Sequence, residues 1–396
     1  MITHEHHRAT LALAEAAGAG GAALVGRVFR PDVAGPAVVR VENGRALDVT
    51  AAFPTVRDLC ETDDPASALR AASAGEDLGA VADLLANADP RNRNAARPHL
   101  LSPIDLQAVK AAGVTFVVSM LERVIEERIR GDAGAAASVR QTILDLVGSD
   151  IRALKPGSPE AARLKSALIE AGAWSQYLEV GIGPDAEIFT KGQPLSTVGS
   201  GAEIGVHPAS TWNNPEPEVV LAAASSGRIV GASLGNDVNL RDVEGRSALL
   251  LGKAKDNNGA AAVGPFLRLF DDNFTLDDVR ALELSLTVEG EEGYKLTGRS
   301  SMREISRDPA DLVAQGINGH HRYPDGLVLY LGTMFAPVED RDEPGRGFTH
   351  KAGDVVSIAT DKLGALVNRT APTDAVEGWR MGAADLMRNL ARRGLL

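Results

Sequence analysis

Three carboxylates and one lysine within a short stretch constrain this chain more than any other feature. Asn213-Asn214-Pro215-Glu216-Pro217-Glu218 is followed by a strand-like run over 228–235 that ends at Asn236-Asp237, and then by Lys255. Glu216 and Glu218 stand two apart, and residues i and i+2 of a strand share a face. Pro217 points the other way and biases Glu216 toward extended backbone. Both carboxylates can then reach one ion, with Asp237 delivered by the next strand as a third. An all-oxygen carboxylate site suits a hard cation, Mg²⁺ first, with Mn²⁺ or Ca²⁺ as alternatives. Lys255 adds a fixed positive charge or an acid/base group beside it. On spacing alone, the commoner meaning of Glu-x-Glu is a pair of solvated strand carboxylates. By the same standard Lys255, beside Asp256, reads as a surface lysine.

Charge and composition remove several functional classes. With 41 basic and 53 acidic residues the formal net charge is −12, against a phosphate-tracking nucleic-acid binder, whose affinity comes from Lys and Arg. Cys60 is the only cysteine, so no intramolecular disulfide forms, which fits a reducing cytoplasm. The opening Met1-Ile2-Thr3-His4-Glu5-His6-His7 lacks the basic and apolar regions of a secretory signal. No apolar run approaches the roughly 20 residues of a membrane span. Gly18-Ala19-Gly20-Gly21 follows a helix-like segment, where a dinucleotide fingerprint needs a preceding strand. The run 245–253 has the wrong spacing for a phosphate loop, and there is no Gly-x-Ser-x-Gly elbow.

The chain changes character after Trp174. Residues 11–17 read as a short helix, 24–50 as strands and turns, 54–90 as mostly helical, and 90–105 as a proline-bearing loop. Helical spacing dominates 105–172, including a charged helix bearing Glu122, Arg123, Glu126 and Glu127, and Ser158-Pro159 reads as a helix start. Charge-rich helices of this kind are usually solvated faces. The His4, His6 and His7 cluster reads as a mobile tail. Beyond Trp174, strand-length runs and turns alternate. The expected organisation is an N-terminal α/β domain over 1–110, a helical connecting or lid region over 111–176, and a mostly β catalytic domain over 177–396.

Taken in order, these motifs resemble the fumarylacetoacetate hydrolase superfamily over roughly 185–360. That family has a Glu-x-Glu pair, an Asp in a D-x-x-x-R-D setting, and a Lys after a turn. Here these read Glu216 and Glu218, Asp237 through Arg241-Asp242, and Gly252-Lys253-Ala254-Lys255. The likeness extends through Glu187-Ile188-Phe189-Thr190-Lys191, Leu331-Gly332-Thr333 and Gly353-Asp354-Val355-Val356. Hydrolases and decarboxylases of the family carry a lid histidine, and the segment 117–127 has none. That departure makes the chain similar to the sugar-acid dehydratase branch, which converts 2-keto-3-deoxypentonates to 2,5-dioxopentanoate.

The resemblance implies an α+β fold, a mixed β-sandwich roll with a smaller N-terminal α/β domain. It implies Glu216, Glu218 and Asp237 as ligands of Mg²⁺, with Mn²⁺ as an alternative, and Glu122 and Lys255 as catalytic groups. Arg241, Lys191 and Thr333 are then expected to hold the small 2-keto acid substrate. The implied chemistry is dehydration through an enolate stabilised by the cation. The alternatives are C–C hydrolysis or decarboxylation of an acylpyruvate or oxaloacetate-like acid, and a non-catalytic binding protein on the same fold. A homodimer or homotetramer is expected, without nucleic-acid or membrane partners.

Overall fold

The computed structural model describes residues 2–396 except 19, 118, 119, 121, 122, 125–153, 171, 173, 336, 338, 343–346 and 378. Its strands are β1 (Leu24–Arg30), β2 (Gly35–Glu42), β3 (Arg45–Asp48), β4 (Asp77–Ala80), β5 (His99–Leu101), β6 (Ala108–Gly113), β7 (Glu187–Gly192), β8 (Glu203–Val206) and β9 (Asn213–Asn214). They continue with β10 (Pro217–Ala223), β11 (Ile229–Asp237), β12 (Asn239–Leu240), β13 (Ala261–Leu269), β14 (Glu283–Glu289), β15 (Lys295–Ser301), β16 (Leu327–Tyr330), β17 (Val355–Thr360) and β18 (Gly364–Pro372). The large sheet runs β4-β3-β2-β1-β13-β11-β10-β16-β6-β7, with β5 also paired to β1. A second sheet runs β15-β14-β17-β18-β8.

Strand alternation explains how the two sheets form a core. On β14, Leu284, Leu286 and Val288 are buried while Glu283 and Ser285 are exposed, the pattern of a half-buried strand. Those three pack with Val219 and Leu221 of β10, Leu234 of β11 and Ile358 of β17. Strand β10 is buried on both faces. Its other face, Val220 and Ala222, packs with Val263, Val328, Tyr330 and the helical Val56, Leu59 and Leu69. The helix Val56–Cys60 starts at Thr55, whose side chain accepts from the Asp58 amide, and the helix Pro65–Ala71 starts at Asp64, which accepts from Ser67. Each fully buried Leu or Val adds about 1.5–3 kcal/mol of hydrophobic stabilisation.

Two local expectations change. The N-terminal histidines lie on a 3-10 helix, His4–His7, with His7 buried and His6 Nε2 3.2 Å from Glu289. Thr10 in the following helix bonds both the amide and the carbonyl of Ala365, which ties this end to β18. Residues 108–113 form β6, because Val109 and Ala111 pack on the β10 and β16 side of the large sheet instead of closing a helix. The helix Pro159–Glu170 does begin at the Ser158-Pro159 signal. Among the described residues, no helix is long and apolar enough to cross a membrane.

Candidate metal centre and active site

The β10–β11 hairpin builds the centre. Pro217 pairs with Asn236 and Glu218 with Gly235, so Asp237 lies directly across from Glu216, and its amide donates to the Glu216 carbonyl at 3.1 Å. Directly opposed residues share a face, and Glu218 joins them by the two-residue period. The three side chains are buried, and each offers a carboxylate oxygen within 4.8 Å of the others. They continue the face of Val220 and Tyr330. Gly235 leaves the space that Tyr330 fills, since a Cβ there would lie 2.5 Å from the ring and 2.4 Å from Val220 Cγ2. Tyr330 Oη in turn donates to the Ala262 carbonyl at 2.8 Å.

Two buried lysines face these acids. Lys255 Nζ lies 2.6 Å from Glu216 Oε2 and 3.1 Å from Asp237 Oδ2. Lys255 ends the short helix Leu251–Lys255. Lys191 Nζ lies 2.7 Å from Asp237 Oδ1 and donates to the carbonyls of Val238 at 3.1 Å and Lys255 at 2.5 Å. Two of its protons are thereby committed to carbonyls and its charge is paired with Asp237, which makes it a brace for Asp237 and for the Lys255 helix. The Gly332 amide donates to Glu218 Oε2 at 2.7 Å.

A second ring of contacts holds Glu216 from behind. Asn239 Nδ2 donates to Glu216 Oε1 at 3.0 Å and to Glu244 Oε2 at 2.6 Å. Arg123 spans the same two acids, at 3.6 Å from Glu216 and 2.8 Å from Glu244. Val117, Met120 and Val124 bury one side of the helical turn that carries Arg123, against Leu168, Leu178 and Ile182. Glu187 opens β7 and shares the face of Phe189 and Lys191, four residues on. Its register partner is Gly113, where a Cβ would stand 2.0 Å from Glu187 Oε2.

Burial drives the electrostatics. It pushes the Glu218 carboxyl well up, with Asp237 and Glu216 adding repulsion, and it raises Glu216 despite Lys255. Asp237 moves down, because Lys191 and Lys255 outweigh its burial. Lys255 moves the other way: burial opposes its charge, but Asp237 and Glu216 more than offset that, so it stays protonated. Burial lowers Lys191 against the pull of Asp237. Glu244 is buried too, yet Arg123 and Lys255 hold it below the ordinary range. Glu187 is pushed up to about 7, first by burial and then by the charge of Glu244.

The donor set contains carboxylate oxygens and neither imidazole nor thiolate, which fits a hard divalent cation such as Mg²⁺. Crowding buried acids that repel one another is costly without such an ion.

Residues 180–371 match the family described as fumarylacetoacetate (FAA) hydrolase C-terminal. That match covers just under half of the chain. A Haloferax volcanii protein named probable 2-keto-3-deoxyxylonate dehydratase is 31% identical over 199 residues, 50% of this chain and 65% of that protein. A Saccharolobus solfataricus protein named 2-dehydro-3-deoxy-D-arabinonate dehydratase is 30% identical over 181 residues, 46% of this chain and 57% of that protein. The matches thus span less than two thirds of either relative. A solved 2-keto-3-deoxy-D-arabinonate dehydratase complexed with magnesium and 2,5-dioxopentanoate shares the fold, with TM-score 0.61, 20% identity and coverage of 88% of this chain and 99% of that one. The fold is therefore the α+β arrangement of that solved structure.

Glu216, Glu218, Asp237, Lys255 and Lys191 thus meet at one centre. Thr333 follows the Gly332 amide that bonds Glu218, and its Oγ1 accepts from the Phe335 amide at 3.1 Å. Arg241 turns its guanidinium over the Trp212 ring, at 4.3 Å, and donates to the Pro337 carbonyl at 3.4 Å. Its neighbour Asp242 accepts from Ser210 Oγ at 2.7 Å. Glu122, Glu126 and Glu127 lie outside the described residues. Sequence reasoning missed Glu187, Asn239 and Glu244 and read Arg123 as solvated. The four-residue spacing of Glu187 and Lys191 on a strand was the usable signal for the first.

Proposed function

We propose that this chain catalyses the Mg²⁺-dependent dehydration of a 2-keto-3-deoxypentonate to 2,5-dioxopentanoate. The buried centre of three carboxylates and two lysines carries the reading, supported by the names of the two relatives. A divalent ion held by Glu216, Glu218 and Asp237 supplies Lewis-acid polarisation of a 2-keto acid, which acidifies its C3 protons.

The chain's own groups divide the remaining work. Lys191 holds Asp237 in place, and Lys255, permanently charged, offsets negative charge developing at the keto oxygen. A proton-transfer group must change state near neutral pH. Lys255 does not, whereas Glu187 titrates at about 7. Ionised Glu187 takes a C3 proton and, protonated by that step, returns it to the C4 hydroxyl, which leaves as water. Loss of water leaves a C3=C4 double bond; removal of a C5 proton and protonation at C3 shift it to C4=C5, and the enol so formed tautomerises to the aldehyde. Thr333 and Arg241, reaching the segment after β16, hold the anionic end of the substrate, for which a guanidinium is suited.

Product analysis tests this reading. The enzyme with Mg²⁺ and racemic 2-keto-3-deoxypentonate should yield an aldehyde acid with every carbon retained, and Glu216→Gln should abolish the yield. Two acids, or CO₂ release, would place the chemistry with the hydrolases or decarboxylases.

A further inference from the structure

A buried ion pair stands behind the wall that carries Arg241. Arg341 grips Asp354 with both arms of its guanidinium, Nη1 at 2.6 Å from Oδ2 and Nη2 at 2.7 Å from Oδ1, and each side chain is 1% exposed. Two parallel charge-assisted bonds fix direction as well as distance. Asp354 immediately precedes β17, which lies between β14 and β18 in the second sheet, so the pair fastens Arg341 to a rigid element. Arg341 also donates to the Thr349 carbonyl at 3.0 Å and to Glu292 at 2.8 Å. Asp354 Oδ2 accepts from the Lys351 amide at 2.9 Å, and His350 Nδ1 lies 3.3 Å from it.

Residues beside this clamp touch the site. The His350 amide donates to Asn213 Oδ1 at 3.0 Å, and Asn213 pairs with Leu240, the residue before Arg241. Gly347 backs the indole of Trp212, since a Cβ there would stand 3.3 Å from Trp212 Nε1. The Gly347 carbonyl accepts from the Arg341 amide at 3.3 Å. Trp212 in turn carries the Arg241 guanidinium at 4.3 Å. Among the described residues, no hydrogen bond or ion pair joins Arg341 or Asp354 to Glu216, Glu218 or Asp237.

We propose that Arg341 and Asp354 are positioning residues for the reaction, which set where the Arg241 guanidinium meets the anionic end of the substrate. They act through Gly347 on Trp212 and through His350 on Asn213. This inference rests on the substrate-holding role given to Arg241 above and adds what aims that side chain. The pair works on the clamp and not on the acids, so its loss weakens substrate binding and leaves the metal centre intact. Displacing a bidentate clamp by about 1 Å costs up to about 100-fold.

Steady-state kinetics on 2-keto-3-deoxypentonate, with the Mg²⁺ Kd measured by calorimetry, tests it. Asp354→Asn should raise KM by on the order of 10-fold or more, with kcat within about threefold of wild type and the Mg²⁺ Kd unchanged. Arg341→Lys keeps the charge without the fork. It should show the same split at smaller size, and it serves as the readable variant if Asp354→Asn does not fold. Arg241→Gln should itself raise KM, and adding Arg341→Lys to it should raise KM by no more than about twofold further, because residues that act as a unit are not additive. An unchanged KM in folded Arg341→Lys, or a fall in kcat without a rise in KM, would overturn this inference. KM increases that multiply in full in the double variant would also overturn it. An unchanged KM in Arg241→Gln would overturn the role of Arg241 and this inference with it, and leave the dehydratase reading standing. No turnover by the wild-type chain would overturn the dehydratase reading and this inference together.

Discussion

Replacing Lys191 with Met removes the brace of the centre, and its cost follows from the contacts. Lys191 is fully buried, pairs with Asp237 at 2.7 Å, and donates to two backbone carbonyls at 3.1 and 2.5 Å. Breaking a buried pair by removing one partner costs about 3–5 kcal/mol, because the other charge stays behind. The two lost backbone hydrogen bonds add about 1 kcal/mol each, so Lys191→Met should lose about 5–7 kcal/mol. Urea unfolding in EDTA, followed by tryptophan fluorescence, measures it. Asp237→Asn removes the stranded charge, so the double variant should be more stable than the sum of the single losses implies, by about 2 kcal/mol or more. Additivity of the two substitutions within about 0.5 kcal/mol would refute the pairing on which the cost is built.

Other outcomes follow from the same geometry. Mg²⁺ at 100 times its Kd should stabilise the wild-type chain by about 2.7 kcal/mol, and Glu218→Gln should lose most of that gain in the same urea assay. Glu187 must be ionised to take a proton, and its carboxyl titrates at about 7. kcat/KM should therefore rise with pH through about 7, and Glu187→Gln should lower it by on the order of 10²- to 10⁴-fold. A carboxyl raised on folding binds its proton more tightly when folded. Its contribution to stability is thus present below the ordinary value of 4.5 and lost as pH rises toward about 7. Unfolding free energy of Glu187→Gln measured across that window should vary less than wild type. Gly235→Ala should cost about 1–3 kcal/mol by thermal unfolding, since the added methyl strikes Val220 and Tyr330.

The three clustered acids were legible because their placement needs only local rules. Two-residue periodicity puts Glu216 and Glu218 on one face, and a hairpin ending at Asp237 supplies the third acid. Lys255 was found through the family motif, and the helix that presents it was not visible in the residues 251–255 themselves. The ring behind Glu216 was hidden for a different reason. Arg123 and Glu244 are far apart in sequence, and a charged helix normally faces water. Only the burial of Val117, Met120 and Val124 against Leu178 and Ile182 turns that helix so that Arg123 reaches inward. The N-terminal histidines misled because composition suggests a tail, while Thr10 and His6 anchor the segment to β18 and β14. Glu187 was on the page as the first letter of a recognised motif, but its shifted titration depends on burial and on Glu244, which no local pattern encodes.

The most direct measurement is aldehyde formation from 2-keto-3-deoxypentonate, read by a coupled aldehyde dehydrogenase, as metal is removed and restored. Activity that vanishes in EDTA, returns with Mg²⁺, and is absent in Glu216→Gln at any Mg²⁺ concentration is the expected result. Aldehyde formation that survives EDTA, or that Glu216→Gln retains in full, would contradict a reaction built on the Glu216, Glu218 and Asp237 centre.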